Sequence, residues 1–299
     1  MTASFAELSP ASLITAATPA PAVHPGNAEW QARVTATKVA GILGVSPWGD
    51  TPFTVWHLLA GNIEPDTSDD SVLARGRHLE AGIANWWLDD HPGYDMADAG
   101  TWQSIAHPWA YATPDRLLYD TDTGEVELLE VKTARSLDEW GEEGSDQIPP
   151  NYWAQCAWQA IVLGVRRVHV TVLGPWLERA DYTLSFDPFE LGSVLETVAD
   201  FVATLPSGDE PGTPPEPENP GLDWATMLAV TKPMRKQSDV SRLYDAYREA
   251  KAQEKAAKDA VAASQAAIKV AGAEAEELVV GKRVVATRSG ANFRFKPVK

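Results

Sequence analysis

Two short apolar runs, Arg116–Asp120 and Val126–Thr133, are bounded by turn-forming residues, and Thr121-Asp122-Thr123-Gly124 lies between them. That pattern predicts a β-hairpin. Upstream, apolar positions at helical spacing predict short helices over Thr35–Leu43 and Phe53–Leu59, joined by the glycine- and proline-bearing loop Gly44–Pro52. A longer helix is expected over Val72–Trp87, with Leu79, Ile83, Trp86 and Trp87 as its apolar face. Trp102–Ala112 reads as a strand or extended segment. Downstream, Asn151–Leu163 reads as a helix, Arg167–Leu173 and Arg179–Phe186 as strands that complete a sheet, and Asp187–Leu205 as another amphipathic helix. The expectation is an α/β fold with a mixed central sheet flanked by helices.

Beyond that core the pattern changes. Six prolines fall between Pro206 and Pro220 among acidic residues, with no basic residue, which predicts a solvated linker. Ser241–Val280 is rich in Ala, Lys, Glu and Gln and reads as one long helix; its apolar positions are mostly alanine, too small for a strong dimeric coiled coil. Gly281–Lys299 carries six Lys/Arg and no acid, with a turn at Ser289-Gly290-Ala291-Asn292 between two strand-like runs. The expected organisation is a flexible leader over 1–25, a core domain over 26–205, an acidic linker over 206–222, and a helical and basic-hairpin region over 223–299.

The hairpin carries the candidate chemistry. With its turn centred between Asp122 and Thr123, Asp115 falls opposite Glu130 on one face, with Cβ atoms roughly 5 Å apart. Lys132 joins that face because strand side chains alternate, and Val131 points the other way, into the core. Two carboxylates this close repel unless a cation or a proton sits between them. Charged strand residues usually face solvent, and an Asp followed by Glu-x-Lys is common by chance. The strand Glu127–Val131 is nevertheless too apolar for an exposed edge, and a helix carrying Gln155 follows at a suitable distance, with Tyr152, Gln155 and Gln159 on one stripe. Asp115, Glu130, Lys132 and Gln155 form the layout of a metal-dependent phosphodiesterase site, with the Val131 carbonyl as a further oxygen donor. Glu80 can sit at the margin of its helix's apolar face and reach such a site.

The net charge of −17 runs against a DNA-binding reading, since phosphate neutralisation needs bases. The acids cluster in loops, at Asp66–Asp70, Asp89–Asp98, Asp138–Asp146 and Asp209–Glu218. Arg33, Lys38, Arg75, Arg77, Arg116, Lys132 and Arg135 fall within the core segments and could form a local basic groove. Most of the 12 tryptophans sit in apolar segments and read as core; Trp48, in a loop, is the candidate for stacking on bases. The lone Cys156 excludes an intramolecular disulfide and a four-cysteine iron–sulfur cluster, and reads as a buried packing thiol. No run of about 18 apolar residues exists, so no membrane span is expected. Met1–Ala22 lacks a basic segment and reads as a leader, not a signal peptide.

From about Glu29 to Leu173 the chain resembles the YqaJ-type viral recombinases, relatives of the lambda exonuclease within the PD-(D/E)XK nuclease superfamily. The resemblance is carried in order by Trp30-Gln31-Ala32-Arg33, Thr35–Ala40, Gly41–Trp48, Thr54-Val55-Trp56 with Gly61, and Arg75–Glu80. It continues through Pro114-Asp115, Glu130-Val131-Lys132-Thr133, and Ile148-Pro149 with Tyr152 and Gln155. Thr37 stands where serine is usual, and Ala60 where a lysine often precedes the glycine. The resemblance implies a restriction-endonuclease-like core and magnesium-dependent cleavage, with manganese as a possible substitute. It makes Glu80, Asp115, Glu130 and Val131 the metal ligands, and Arg33 and Thr37 the grip on a terminal 5′ phosphate. With Trp48, Arg75, Arg77 and Arg135 these form the DNA-binding set. It further implies resection of duplex ends from 5′ to 3′, a toroidal homotrimer, a single-strand annealing partner, and the cytoplasm of an infected bacterium. An endonuclease on the same core, a catalytically idle DNA- or partner-binding module, and an acidic DNA mimic are the alternatives.

Overall fold

The protein is described from a computed structural model covering residues 10–64, 70–230, 240–289 and 292–296. The first nine residues of the expected leader, most of the Asp66–Asp70 acidic cluster, residues 231–239 and the tip of the basic hairpin at 290–291 lie outside the described residues. The chain forms two compact units, residues 1–232 and 233–299.

The first unit contains, in order, α1 (Pro10–Leu13), β1 (Ala17–Pro19), α2 (Ala28–Gln31), α3 (Ala36–Ile42), α4 (Pro52–Leu59), α5 (Asp70–Asp90), β2 (Tyr94–Asp98), β3 (Trp102–Ser104), β4 (Tyr111–Ala112) and β5 (Arg116–Asp120). There follow β6 (Val126–Thr133), α6 (Pro150–Leu163), β7 (Arg167–Leu173), β8 (Arg179–Ser185), α7 (Pro188–Ala203) and α8 (Pro220–Val230). A five-stranded sheet in the order β2-β5-β6-β7-β8 forms the centre, antiparallel except where β6 runs parallel to β7. Parallel strands need a crossover, and α6 supplies it.

The two faces of the sheet are covered differently. Leu117, Leu128, Val168, Val170 and Val172 point into the larger core, which includes Cys156, Ala157 and Trp158 of α6. Leu118, Leu129 and Val131 point the other way, against Ile83, Ala84 and Trp87 of α5. The expected apolar face of α5 is therefore half right. Ile83 and Trp87 are buried, whereas Leu79 and Trp86 are exposed, and the Arg179 guanidinium lies over the Trp86 ring at 4.8 Å.

The β5–β6 hairpin has the expected register, with Arg116 opposite Leu129 and Leu117 opposite Leu128. Its turn is built locally. Asp120 Oδ1 accepts the backbone N–H groups of Asp122 (2.9 Å) and Thr123 (3.1 Å), and Gly124 takes a positive φ of 75° that a side chain would resist. Those two N–H groups also hold the Asp120 carboxyl below its usual pKa.

Two boundaries differ from expectation. The leader is ordered from within: Ile14, Ala17 and Val23 are buried, and β1 pairs with β3. This β1-β3-β4 sheet is held by a strand 85 positions downstream, a contact no local pattern announces. The expected break over 206–222 does not end the unit, which continues through α8 to residue 232. Thr51 caps α4 in a capping box with Thr54 and also donates to the buried Asp223 carboxylate, so α8 is fastened to the start of α4.

The second unit comprises α9 (Ser241–Ala271), β9 (Glu277–Val280), β10 (Arg283–Ser289) and β11 (Asn292–Phe295), with sheet order β11-β10-β9. The helix expected to run to Val280 stops at Ala271. A Cβ on Gly272 would collide with Leu278, and the β-branched Val279-Val280 pair joins the sheet instead. No described residue of α9 is buried.

Candidate active site

The hairpin register and strand alternation bring Asp115, Glu130 and Lys132 to the α6 side of the sheet, as the sequence pattern implies. Glu130 is 1% exposed. Its Oε1 accepts from Lys132 Nζ and from Gln155 Nε2. Its Oε2 accepts from Gln159 Nε2 at 2.8 Å. Tyr152 brings its ring 5.1 Å from the Lys132 ammonium. The stripe Tyr152, Gln155, Gln159 thus forms the wall of the site, because positions three and four apart share one helix face. Gln159 is fully buried, and its Oε1 has no hydrogen-bond partner among the described residues.

Asp115 is less well provided. Its Oδ2 accepts the Val131 N–H at 2.7 Å, and Oδ1 accepts no described donor. Burial first, and then the negative charge of Glu130, push its carboxyl up to about 8; Lys132 and the Val131 N–H pull the other way and lose. Burial disfavours the Lys132 ammonium, but Glu130 and Asp115 outweigh that and hold it above the ordinary lysine value. Cys156, buried on α6, is raised well above a normal thiol by burial and by Glu130. It stays a neutral packing thiol, as expected.

Glu80 takes a different position from the one the motif spacing suggests. It belongs to α5, on the far side of the sheet, and its carboxylate accepts from Arg116 at 2.6 Å. Arg116 also donates to the Asp115 carbonyl and lies 3.4 Å from Asp98. Asp115 still feels the charge of Glu80. Among the described residues, no three His, Cys, Asp or Glu side chains converge to hold a metal ion. The donor set nonetheless suits a hard dication. Asp115 offers an unpartnered oxygen, Glu130 faces it, and a carboxyl pushed to about 8 marks a pocket short of positive charge. Glu80 joins such a set only by leaving Arg116.

The expected DNA-binding residues separate into groups. Trp48, Arg75 and Arg135 line one open cavity of about 520 Å³, with Tyr152 and with Thr133 and Ala134, which directly follow Lys132. Trp48 is 65% exposed, its ring centroid 6.1 Å from that of Tyr152. Arg33 is elsewhere, bonded to Glu29 at 3.0 Å and 5.4 Å from the Tyr111 ring. Thr37 is exposed on α3, 3.3 Å from Thr35 Oγ1. Next to it Lys38 is buried against the Trp30 ring at 4.3 Å, and burial lowers its pKa to about 8. Arg77 is exposed on α5 and lines no part of that cavity. The basic groove expected from the core segments is therefore narrower than its residue list, since Arg33, Arg116 and Lys132 are bound to carboxylates. The sequence pattern passed over Arg116 and Gln159 as site residues. The signals for Gln159 were its place on the Tyr152–Gln155 stripe and its being a glutamine within the otherwise apolar run Ala157–Leu163.

Residues 29–166 match the YqaJ-like viral recombinase domain. No curated protein matches the chain. Among solved structures it is similar to an alkaline exonuclease from Laribacter hongkongensis, at 18% identity over 59% of this chain and 91% of that one, with a TM-score of 0.45. The same enzyme in complex with dAMP gives 17% identity, the same coverage and a TM-score of 0.47. A third structure, SSO0001, gives 12% identity over 58% of this chain and 77% of that one, with a TM-score of 0.34.

Proposed function

We propose that this chain is a divalent-metal-dependent exonuclease that resects linear duplex DNA for viral recombination. The observation that carries the reading is the convergence of Asp115, Glu130 and Lys132, in which burial and the facing glutamate drive Asp115 to about 8. Such a cluster invites a cation and supplies oxygen ligands for one.

Asp115 and Glu130 would hold the metal, magnesium in the first instance and manganese as a substitute, with Val131 offering its carbonyl. The cation supplies Lewis acidity at the scissile phosphate when bound. Glu130 is fixed by Gln155 and Gln159, so one ligand is positioned before substrate arrives. Lys132 is poised to orient a water toward phosphorus and to offset charge that develops on the phosphoryl oxygens. Trp48, Arg75 and Arg135 would take the adjoining DNA along the cavity, and Arg33 and Thr37 a terminal 5′ phosphate. A 5′-to-3′ polarity, a ring-shaped homo-oligomer, a single-strand annealing partner and action in the cytoplasm of an infected bacterium complete the proposal.

End-labelled linear duplex and covalently closed circles, incubated with and without Mg²⁺, test it. The expected result is Mg²⁺-dependent loss of the linear substrate alone, abolished in Lys132→Ala. Cleavage of closed circles would turn the reading to an endonuclease, and full activity of Lys132→Ala would remove the site. Arg33→Ala should slow digestion of 5′-phosphorylated ends more than of hydroxyl ends; equal slowing would make Arg33 structural.

A further inference from the structure

The two units carry opposite charge. Residues 1–232 hold 11 Lys/Arg against 34 Asp/Glu, a net of −23, and residues 233–299 hold 14 against 8, a net of +6. In the first unit many cations are already committed. Arg33, Arg116, Lys132, Arg167 and Arg179 are bonded to carboxylates, and Lys38 is buried. Affinity for a nucleic-acid backbone comes from cations free to displace counterions, and the first unit has few left.

In α9 the cations fall on one line. Tyr244, Arg248, Lys251, Lys255 and Lys258 follow one another at spacings of 4, 3, 4 and 3 residues. At about 100° per residue they occupy an arc of roughly 80°, and the four cations span ~15 Å of helix. All five side chains are exposed. Arg248 and Lys255 meet no carboxylate among the described residues, and Lys251 and Lys258 share only Glu254, at 2.7 and 2.5 Å. The residues of α9 that line the space beside its own sheet, among them Val261, Ser264 and Ile268, lie on a different side of the helix. The stripe therefore contributes nothing to packing within its unit. Asp245 and Glu249 fall away from the stripe, and Glu254 and Asp259 flank it without entering its arc.

We infer that the Tyr244–Lys258 stripe of α9 is a second DNA contact, a sequence-independent grip on the phosphates of duplex DNA that supplies the affinity the acidic unit lacks. The inference rests on the proposed nuclease reading for its choice of polyanion. Four cations over ~15 Å face roughly four base-pair steps of backbone, and Tyr244 adds a flat ring at one end.

The test uses the full chain with EDTA present, so that binding is read without cleavage. Fluorescence anisotropy of a labelled 20-base-pair duplex is followed across a salt series for the native chain, for Arg248→Gln/Lys251→Gln/Lys255→Gln/Lys258→Gln, and for a charge-preserving set with arginine at the three lysine positions. Glutamine keeps nearly the same helix propensity, so α9 should persist, which circular dichroism checks. The expected results are at least a tenfold loss of affinity at low salt for the glutamine set and a salt dependence shallower by two to four powers. The arginine set should bind like the native chain. With Mg²⁺ the glutamine set should show a raised KM and an unchanged kcat. Native-like affinity and slope in the glutamine set would overturn the inference. So would loss of self-association alone with duplex affinity intact, which would mean that the stripe grips the acidic unit of another copy. A stripe-dependent grip in a chain that cuts no DNA would instead sink the nuclease reading and leave this one standing.

Discussion

Glu127 and Glu130 lie three residues apart on β6, are equally buried at 1% exposure, and face opposite sides of the sheet. On the α5 side, Glu127 is met by His169 Nε2 at 2.7 Å, Arg167 at 2.8 Å and the Tyr94 hydroxyl at 3.1 Å. Burial alone would raise its pKa, but those partners outweigh burial and lower it. On the α6 side, Glu130 has Lys132 and two glutamines but also faces a second carboxylate, and burial together with the charge of Glu130 raises the pKa of Asp115. A buried acid is thus no sign of a site by itself. Glu127 is matched by its neighbours and reads as architecture, whereas the Glu130 pocket holds a second buried carboxylate with an oxygen that accepts no described donor, where a cation can enter.

Four measurements sharpen or break this contrast. Lys132→Ala should lower cleavage by about 10²–10³-fold with the fold intact, while Glu127→Ala keeps kcat within a few-fold; equal losses at unchanged melting temperature would erase the distinction. Conversely, Glu127→Ala should cost about 2 kcal/mol of stability by leaving the buried His169 without its acceptor beside a half-exposed Arg167, as read by denaturant midpoints.

The pH responses should have opposite signs. Asp115, raised to about 8, is bound to a proton in the folded chain where the unfolded chain has lost it, so metal-free stability should fall as pH rises from about 4 to about 8. Asp115→Asn should flatten that limb, and an unchanged limb would contradict the charge-deficit account. Glu127, lowered, contributes above its unfolded pKa and loses that contribution as pH drops through its folded value, so Glu127→Gln should soften the acid limb only. The smallest effect is expected at Gln159. Gln159→Leu should slow cleavage about tenfold by releasing Glu130 Oε2, with stability little altered because the lost bond is offset by removing an Oε1 that has no partner among the described residues.

What the sequence revealed, and what it concealed, follows the range of the interactions. β5, β6 and β7 fall within the expected residues, and the Asp115–Glu130 pairing follows from one turn, because hairpin register is set locally by Asp120 and Gly124. The partners of Glu127 come from β2 and β7, 33 and 42 positions away, and no periodicity announces them. The burial of Ile14 and Ala17 depends in the same way on β3. Glu80 was placed by spacing along its own helix, which says nothing about the arginine waiting across the sheet. Asp223 lies one residue past the expected linker, and nothing in its local pattern announces its bond to Thr51.

Cys156 is sealed inside α6 with its thiol held neutral, and it is the chain's sole cysteine. The native protein should therefore be silent to maleimide dyes. A cysteine placed in the exposed loop at Ser46 would be the only one to take a fluorophore, giving a reporter of substrate entering the cavity beside Trp48, with no background to subtract.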